Sequence, residues 1–198
     1  KLVARTPGAK ELANKLPIGI YSSFHWNVAP NDDINVRKAL IHAIDFKELA
    51  AGATEGTQQP WLAATHPELL DKCYDPANEK YFEFNPQKAK EELAASKYGS
   101  VEKLGKLRVS SNSSGAAQKK ALQIIMEMWR TNLGVDVNIE QTEFATFLQD
   151  VSRKPNPYQM YSLGWIADYP DPQNFLDILF HGNSLDNHTG YANPAVDK

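Results

Sequence analysis

The chain has 198 residues, 42% of them hydrophobic and 23% charged, with a formal net charge of -3. That length admits one α/β domain with a real core, or at most two small ones, and the composition excludes disordered and fibrous classes. The slightly acidic balance, with no run of Lys or Arg longer than a pair such as Lys119-Lys120, excludes a phosphate-tracking surface, so no nucleic acid is expected as a partner.

The first predicted element is a strand within Pro17 to Asn27. Ile18, Ile20, Ser22, Phe24 and Trp26 alternate with Gly19, Tyr21, Ser23 and His25, leaving aromatics on both faces. Asn31-Asp32-Asp33 then offers N-caps for a helix whose apolar stripe is Val36, Leu40, Ala43 and Ile44. From Gly52 to Tyr81 the texture of Gly, Thr, Gln and Pro with scattered aromatics predicts a long irregular excursion, residues 52–81. A helix follows from Pro86, suited to a first turn, to about Tyr98.

The most legible unit comes next. Leu107 and Val109 mark a strand running into the loop Ser110-Ser111-Asn112-Ser113-Ser114-Gly115. Leu122, Ile125, Trp129 and Leu133 recur at helical spacing, Gly134 is the expected stop, and Val135, Val137 and Ile139 alternate with polar residues. This predicts strand, helix, strand with a parallel crossover, and Trp129 and Leu133 buried on the sheet. Thr142 is the expected cap of a helix carrying Phe144, Phe147, Leu148 and Val151. Tyr158 to Trp165 reads as another strand, and a last helix near Pro172 carries Phe175, Leu176 and Leu179. Asn193 and Pro194 read as the cap and first turn of a further helix, so the chain is expected to be one α/β lobe cut from a longer protein.

Chemistry-bearing signatures are sparse. Cys73 is a lone cysteine without a disulfide or redox partner, and His25, His42, His66, His181 and His188 form no metal-binding pair at helical spacing, so no metal and no cofactor are expected. Ser113-Ser114-Gly115 does not fit a nucleophile elbow, and no Walker or dinucleotide glycine pattern is present. That serine loop either holds an anion at the next helix N-terminus or simply caps it. No apolar run reaches the length of a membrane helix, and Lys-Leu-Val-Ala-Arg-Thr-Pro-Gly lacks a signal-peptide core, which predicts either a cytosolic protein or a trimmed piece of an exported one.

The segment Gly164-Trp165-Ile166-Ala167-Asp168-Tyr169-Pro170-Asp171-Pro172 stands out, because a strand ends there in an acidic, aromatic, proline-rich turn. Ligands of α/β sheets sit beyond the carboxyl ends of strands. Asp168 can there receive an ammonium group, with Trp165 and Tyr169 as stacking faces. On the residues alone the stronger reading is that Asp168 or Asp171 caps the next helix and the aromatics belong to the core.

Three stretches, in order, resemble extracellular solute-binding family 5, the oligopeptide-, dipeptide- and nickel-binding components of ABC importers. Asp32-Asp33-Ile34-Asn35-Val36-Arg37-Lys38-Ala39, continuing to Ala43-Ile44-Asp45, is similar to the family's "D-D-x-x-V-R-x-A" helix. Leu133-Gly134-Val135-Asp136-Val137 resembles its helix-to-strand turn, and Gly164 to Phe175 its "G-W-x-A-D-Y-x-D-P-x-x-F" turn. The first and third are specific, while the second recurs in many α/β proteins. Asn31 departs from the pattern, which often has an aromatic after the proline.

The resemblance implies a type II periplasmic-binding-protein lobe, with a mixed, mostly parallel sheet flanked by helices and the opening strand near the hinge. It implies a C-terminal lobe whose N-terminal partner lobe is missing here. It also implies a receptor rather than an enzyme, capturing a peptide or other small solute for ABC permease subunits in the membrane. The location implied is extracytoplasmic, periplasmic or cell-surface, with a lipid anchor in a segment outside this chain. In the peptide-binding members a carboxylate at the position of Asp168 pairs with the peptide's α-amino group, which makes Asp168, Trp165 and Tyr169 the expected ligand-binding residues. No motif supplies the basic group for the ligand's other end, for which Arg153, Lys154 and His181 are the available side chains. A sensor or chaperone module on the same lobe is the alternative, with a hydrolase using Asp168 and a histidine a third reading.

Overall fold

The structure is a computed structural model that describes residues 18–198 except 61, 64, 66, 113 and 114. Strand β1 (Ile18–Phe24) leads to helix α1 (Ile34–His42). Asp33 caps α1 as the sequence predicts: Oδ1 accepts from the Asn35 N–H at 2.8 Å, and Oδ2 accepts from the Lys97 N–H at 2.7 Å, tying the cap to a distant loop. The stripe read through Ala43 and Ile44 does not continue α1. Both residues are buried at a joint, after which Asp45 caps a separate helix α2 (Phe46–Thr54) by accepting from the N–H groups of Lys47 and Glu48. The irregular excursion therefore begins after Thr54 rather than at Gly52. Among its described residues it holds a short helix, α3 (Pro67–Leu70), and 3-10 turns at Asp71–Cys73 and Pro76–Phe82.

Asn85 caps α4 (Pro86–Ala95), which stops short of Tyr98, and a short α5 (Val101–Leu104) follows. Strand β2 (Leu107–Asn112), helix α6 (Ala116–Leu133) and strand β3 (Val137–Thr142) form the expected crossover. β2 and β3 run parallel with Leu107 opposite Val137. Gly134 ends α6 at φ 75°, a left-handed conformation in which its N–H reaches the Arg130 carbonyl. Helix α7 (Phe144–Val151) is capped by Glu143 and not by Thr142, because Thr142 is still paired in β3 while the Glu143 carboxylate accepts from the N–H groups of Ala145 and Thr146. Strand β4 (Met160–Ile166) and helix α8 (Gln173–Phe180) complete the order. Asn193 does cap a single turn, its side chain accepting from the Ala195 N–H.

The sheet order is β1-β4-β2-β3. β2 is parallel to both neighbours, and β1 lies antiparallel on β4, so the sheet is mixed and mostly parallel. Alternation along β4 sends side chains to two cores. Met160 joins Leu107, Val109, Val36, Leu40 and the α6 residues Leu122, Ile125, Trp129 and Leu133 on one face. Tyr161 and Leu163 pack with Phe147 and Val151 of α7 on the other. Burial raises the Tyr161 hydroxyl to about 12. β2, β3 and β4 all end on one side of the sheet, and the antiparallel β1 brings Ile18 opposite Ile166 there.

Candidate functional site

The segment beyond β4 is held by the first turn of α8. Asp171 heads that helix, since its Oδ1 accepts from the Gln173 N–H at 2.8 Å and its carbonyl from the Asn174 N–H at 3.1 Å. Asp168 takes no part in capping. Its carboxylate Oδ2 lies 3.5 Å from the Asn174 side-chain nitrogen, and the residue is exposed. Trp165 is partly buried and donates its indole N–H to Asn174 Oδ1 at 2.9 Å. Tyr169, 43% exposed, donates its hydroxyl to Gln173 Oε1, whose amide nitrogen in turn donates to Asp177. All three predicted residues thus sit on one strand end and are tied to two adjacent residues of α8.

Apolar side chains of the same two elements are also open to solvent: Ile166, the last residue of β4, is 65% exposed, and Leu176 of α8 is exposed as well. Such an arrangement offers an acceptor for a cationic group together with surface for its hydrocarbon flank.

The basic side chains read from the sequence lie elsewhere. Arg153 pairs with Asp150 at 3.1 Å, Lys154 donates to the Ser184 carbonyl, and His181 Nδ1 accepts from the Asn183 N–H. Arg153 and Lys154 line a cavity of about 260 Å³ together with His25 and His188. The His25 N–H bonds the Gln159 carbonyl, just before β4 begins, so this cavity is at the opposite end of β4 from Asp168. Seven residues of strand separate them, roughly 20 Å. Burial lowers the pKa of His25, and burial lowers that of His188 against a smaller opposing pull from Asp186 and with a further push from Lys154.

The possible anion site at Ser113 and Ser114 falls outside the described residues, as does His66. Among the described residues, no group of three or more His, Cys, Asp or Glu side chains is placed to hold a metal ion. Nor is any helix among them long and apolar enough to cross a membrane.

Sequence reasoning passed over Asn174, which is fully buried. One signal was available: a partly buried indole N–H requires an acceptor, and Asn174 is among the polar residues of the turn that follows Trp165.

The family model for bacterial extracellular solute-binding proteins, family 5, middle region, matches residues 3–187. The oligopeptide-binding protein OppA of Bacillus subtilis is 33% identical over 186 residues, which cover 91% of this chain and 33% of that protein. The periplasmic murein peptide-binding protein MppA of Escherichia coli is 31% identical over 181 residues, covering 90% of this chain and 33% of the relative. A solved structure of MppA as a periplasmic murein tripeptide binding protein, in an unliganded open form, superposes with a TM-score of 0.80 at 27% identity, covering 92% of this chain and 35% of that one. The chain therefore spans about a third of the length of the relatives it matches.

Proposed function

The chain belongs to the bacterial extracellular solute-binding proteins of family 5, and from that premise we propose that it is the C-terminal binding lobe of a two-lobed receptor for peptides. In this reading residues 1–198 are one lobe, a second lobe closes the cleft, and the loaded receptor delivers its ligand to ABC permease subunits. The receptor works outside the cytoplasm, held at the surface by a lipid anchor or free in a periplasm, and it binds its solute without turning it over.

The observation that carries the proposal is the placement of Asp168. Its carboxylate stands at the free end of β4, and Asp171 supplies the capping that would otherwise occupy it. A carboxylate not used in capping, beside Trp165 and Tyr169, suits the ammonium end of a peptide, with the aromatic faces against the first side chain. Relatives that match this chain are named for binding oligopeptides and murein peptides, which supports the same ligand class.

The test is to purify the full-length receptor and identify retained small molecules by mass spectrometry, followed by calorimetry with trialanine. Peptides among the retained molecules, with saturable binding and no turnover, are expected. A retained ligand without a free amino group, or steady conversion of a substrate, would overturn the proposal.

A further inference from the structure

Asn174 sits in the first turn of α8 at 0% exposure, so its amide must find its partners within the protein. Its oxygen accepts two donors, the Trp165 indole N–H at 2.9 Å and the Asp168 backbone N–H at 3.2 Å. Neither donor can act as an acceptor, so the amide cannot be turned over without setting its NH2 group against two N–H groups. The amino group is thereby directed at Asp168 Oδ2, 3.5 Å away. That contact is at the outer limit of a hydrogen bond and fixes direction more than it adds energy. One side chain thus sets the plane of the indole, the backbone at Asp168 and the side of the carboxylate that is engaged.

We propose that Asn174 is a positioning residue for recognition of a ligand's ammonium group: by holding Oδ2 of Asp168 and the ring of Trp165 it leaves Oδ1 directed outward for the ligand. The inference rests on the assignment of Asp168 made under the proposed function. Asn174 does not touch the ligand, and its effect is exerted through Asp168 and Trp165. A merely structural Asn174 would support the turn equally for any ligand, whereas a positioning Asn174 matters for ligands with a free amine and not for those without one.

The experiment uses the full-length receptor labelled with 5-fluorotryptophan, trialanine and N-acetyltrialanine, and a double-mutant cycle. The Trp165 fluorine resonance is identified by its loss in Trp165→Phe. Asn174→Ala is expected to move that resonance and to lower the ratio of affinities for the free over the acetylated peptide by about tenfold. In an Asp168→Asn background the same change is expected to leave the ratio where Asp168→Asn alone puts it. If Asn174→Ala does not fold, Asn174→Asp serves, since it keeps the oxygen facing both donors and replaces only the donor to Asp168. With two facing carboxylates sharing protons, its affinity ratio is expected to depend on pH between about 5 and 7, unlike the parent's. A parental ratio in Asn174→Ala, with the ratio abolished in Asp168→Asn, would make Asn174 structural only and overturn the inference while sparing the reading of Asp168. An unaltered ratio in Asp168→Asn itself would remove that reading, and the inference with it.

Discussion

The indole N–H of Trp129 donates to the backbone carbonyl of Leu40 at 2.8 Å, joining the C-terminal part of the crossover helix α6 to the last turn of α1. Leu40 is near the end of its helix, where carbonyls lack an intrahelical donor, so Trp129 both fills the core and satisfies a buried acceptor. Trp129→Ala is expected to destabilise the fold by about 3–5 kcal/mol, read from urea denaturation. Trp129→Phe keeps much of the apolar volume but leaves the Leu40 carbonyl unpaired, and should cost about 1–3 kcal/mol. Equal stability of the Phe variant and the parent would mean that the hydrogen bond contributes nothing.

Asp168→Asn preserves shape and removes charge. In the full-length receptor it should weaken binding of free-amine peptides by about 2–5 kcal/mol once the closed cleft excludes water, much of that being an ammonium left unpaired. Calorimetry with free and N-acetylated peptides measures it. Equal affinities before and after substitution for both peptides would make Asp168 a structural residue.

Gly134 has open space where a Cβ would stand, so substitution there meets no clash and isolates the backbone effect. Gly134→Ala at φ 75° should cost about 1–2 kcal/mol, and Gly134→Asn less, because Asn tolerates the left-handed region better. Chemical denaturation of the two variants side by side checks the order.

His25 and His188 are both buried, and burial holds their pKa values below the 6.5 expected of an unfolded chain. Above 6.5 both states carry neutral rings and no penalty arises. As pH falls below it the unfolded chain takes up protons first, so stability declines until the folded-state values are reached and then levels off. The urea midpoint should therefore drop as pH falls below 6.5, and a His25→Asn, His188→Gln variant should flatten the curve. Lowered carboxylates behave separately: Asp33, held down first by the Lys97 N–H, loses its contribution only below its unfolded value of 3.8.

Legibility in the sequence followed how local each cause was. The crossover from Leu107 to Ile139 was readable because the helical period, the Gly134 stop and the strand alternation lie within one continuous stretch. The joint at Ala43 and Ile44 was not, since two helices buried on the same core share one apolar stripe, and only the Asp45 cap separates them. Thr142 and Glu143 are both able to cap; which one does so depends on where the ladder with Asn112 ends, a contact 30 residues distant in sequence. Asp168 and Trp165 could be placed on a strand end by pattern. Their support by Asn174 was only hinted at by the indole's need for an acceptor, because which of the following polar side chains is buried is decided when the helix docks.

The register that sets Ile18 opposite Ile166 also has a mechanical meaning. β1 meets β4 through seven paired residues, so a pull along β1 loads the whole ladder in shear, whereas a pull across it would peel one pair at a time. Asp168 lies only two residues past Ile166, so the same ladder anchors the strand end from which the carboxylate projects.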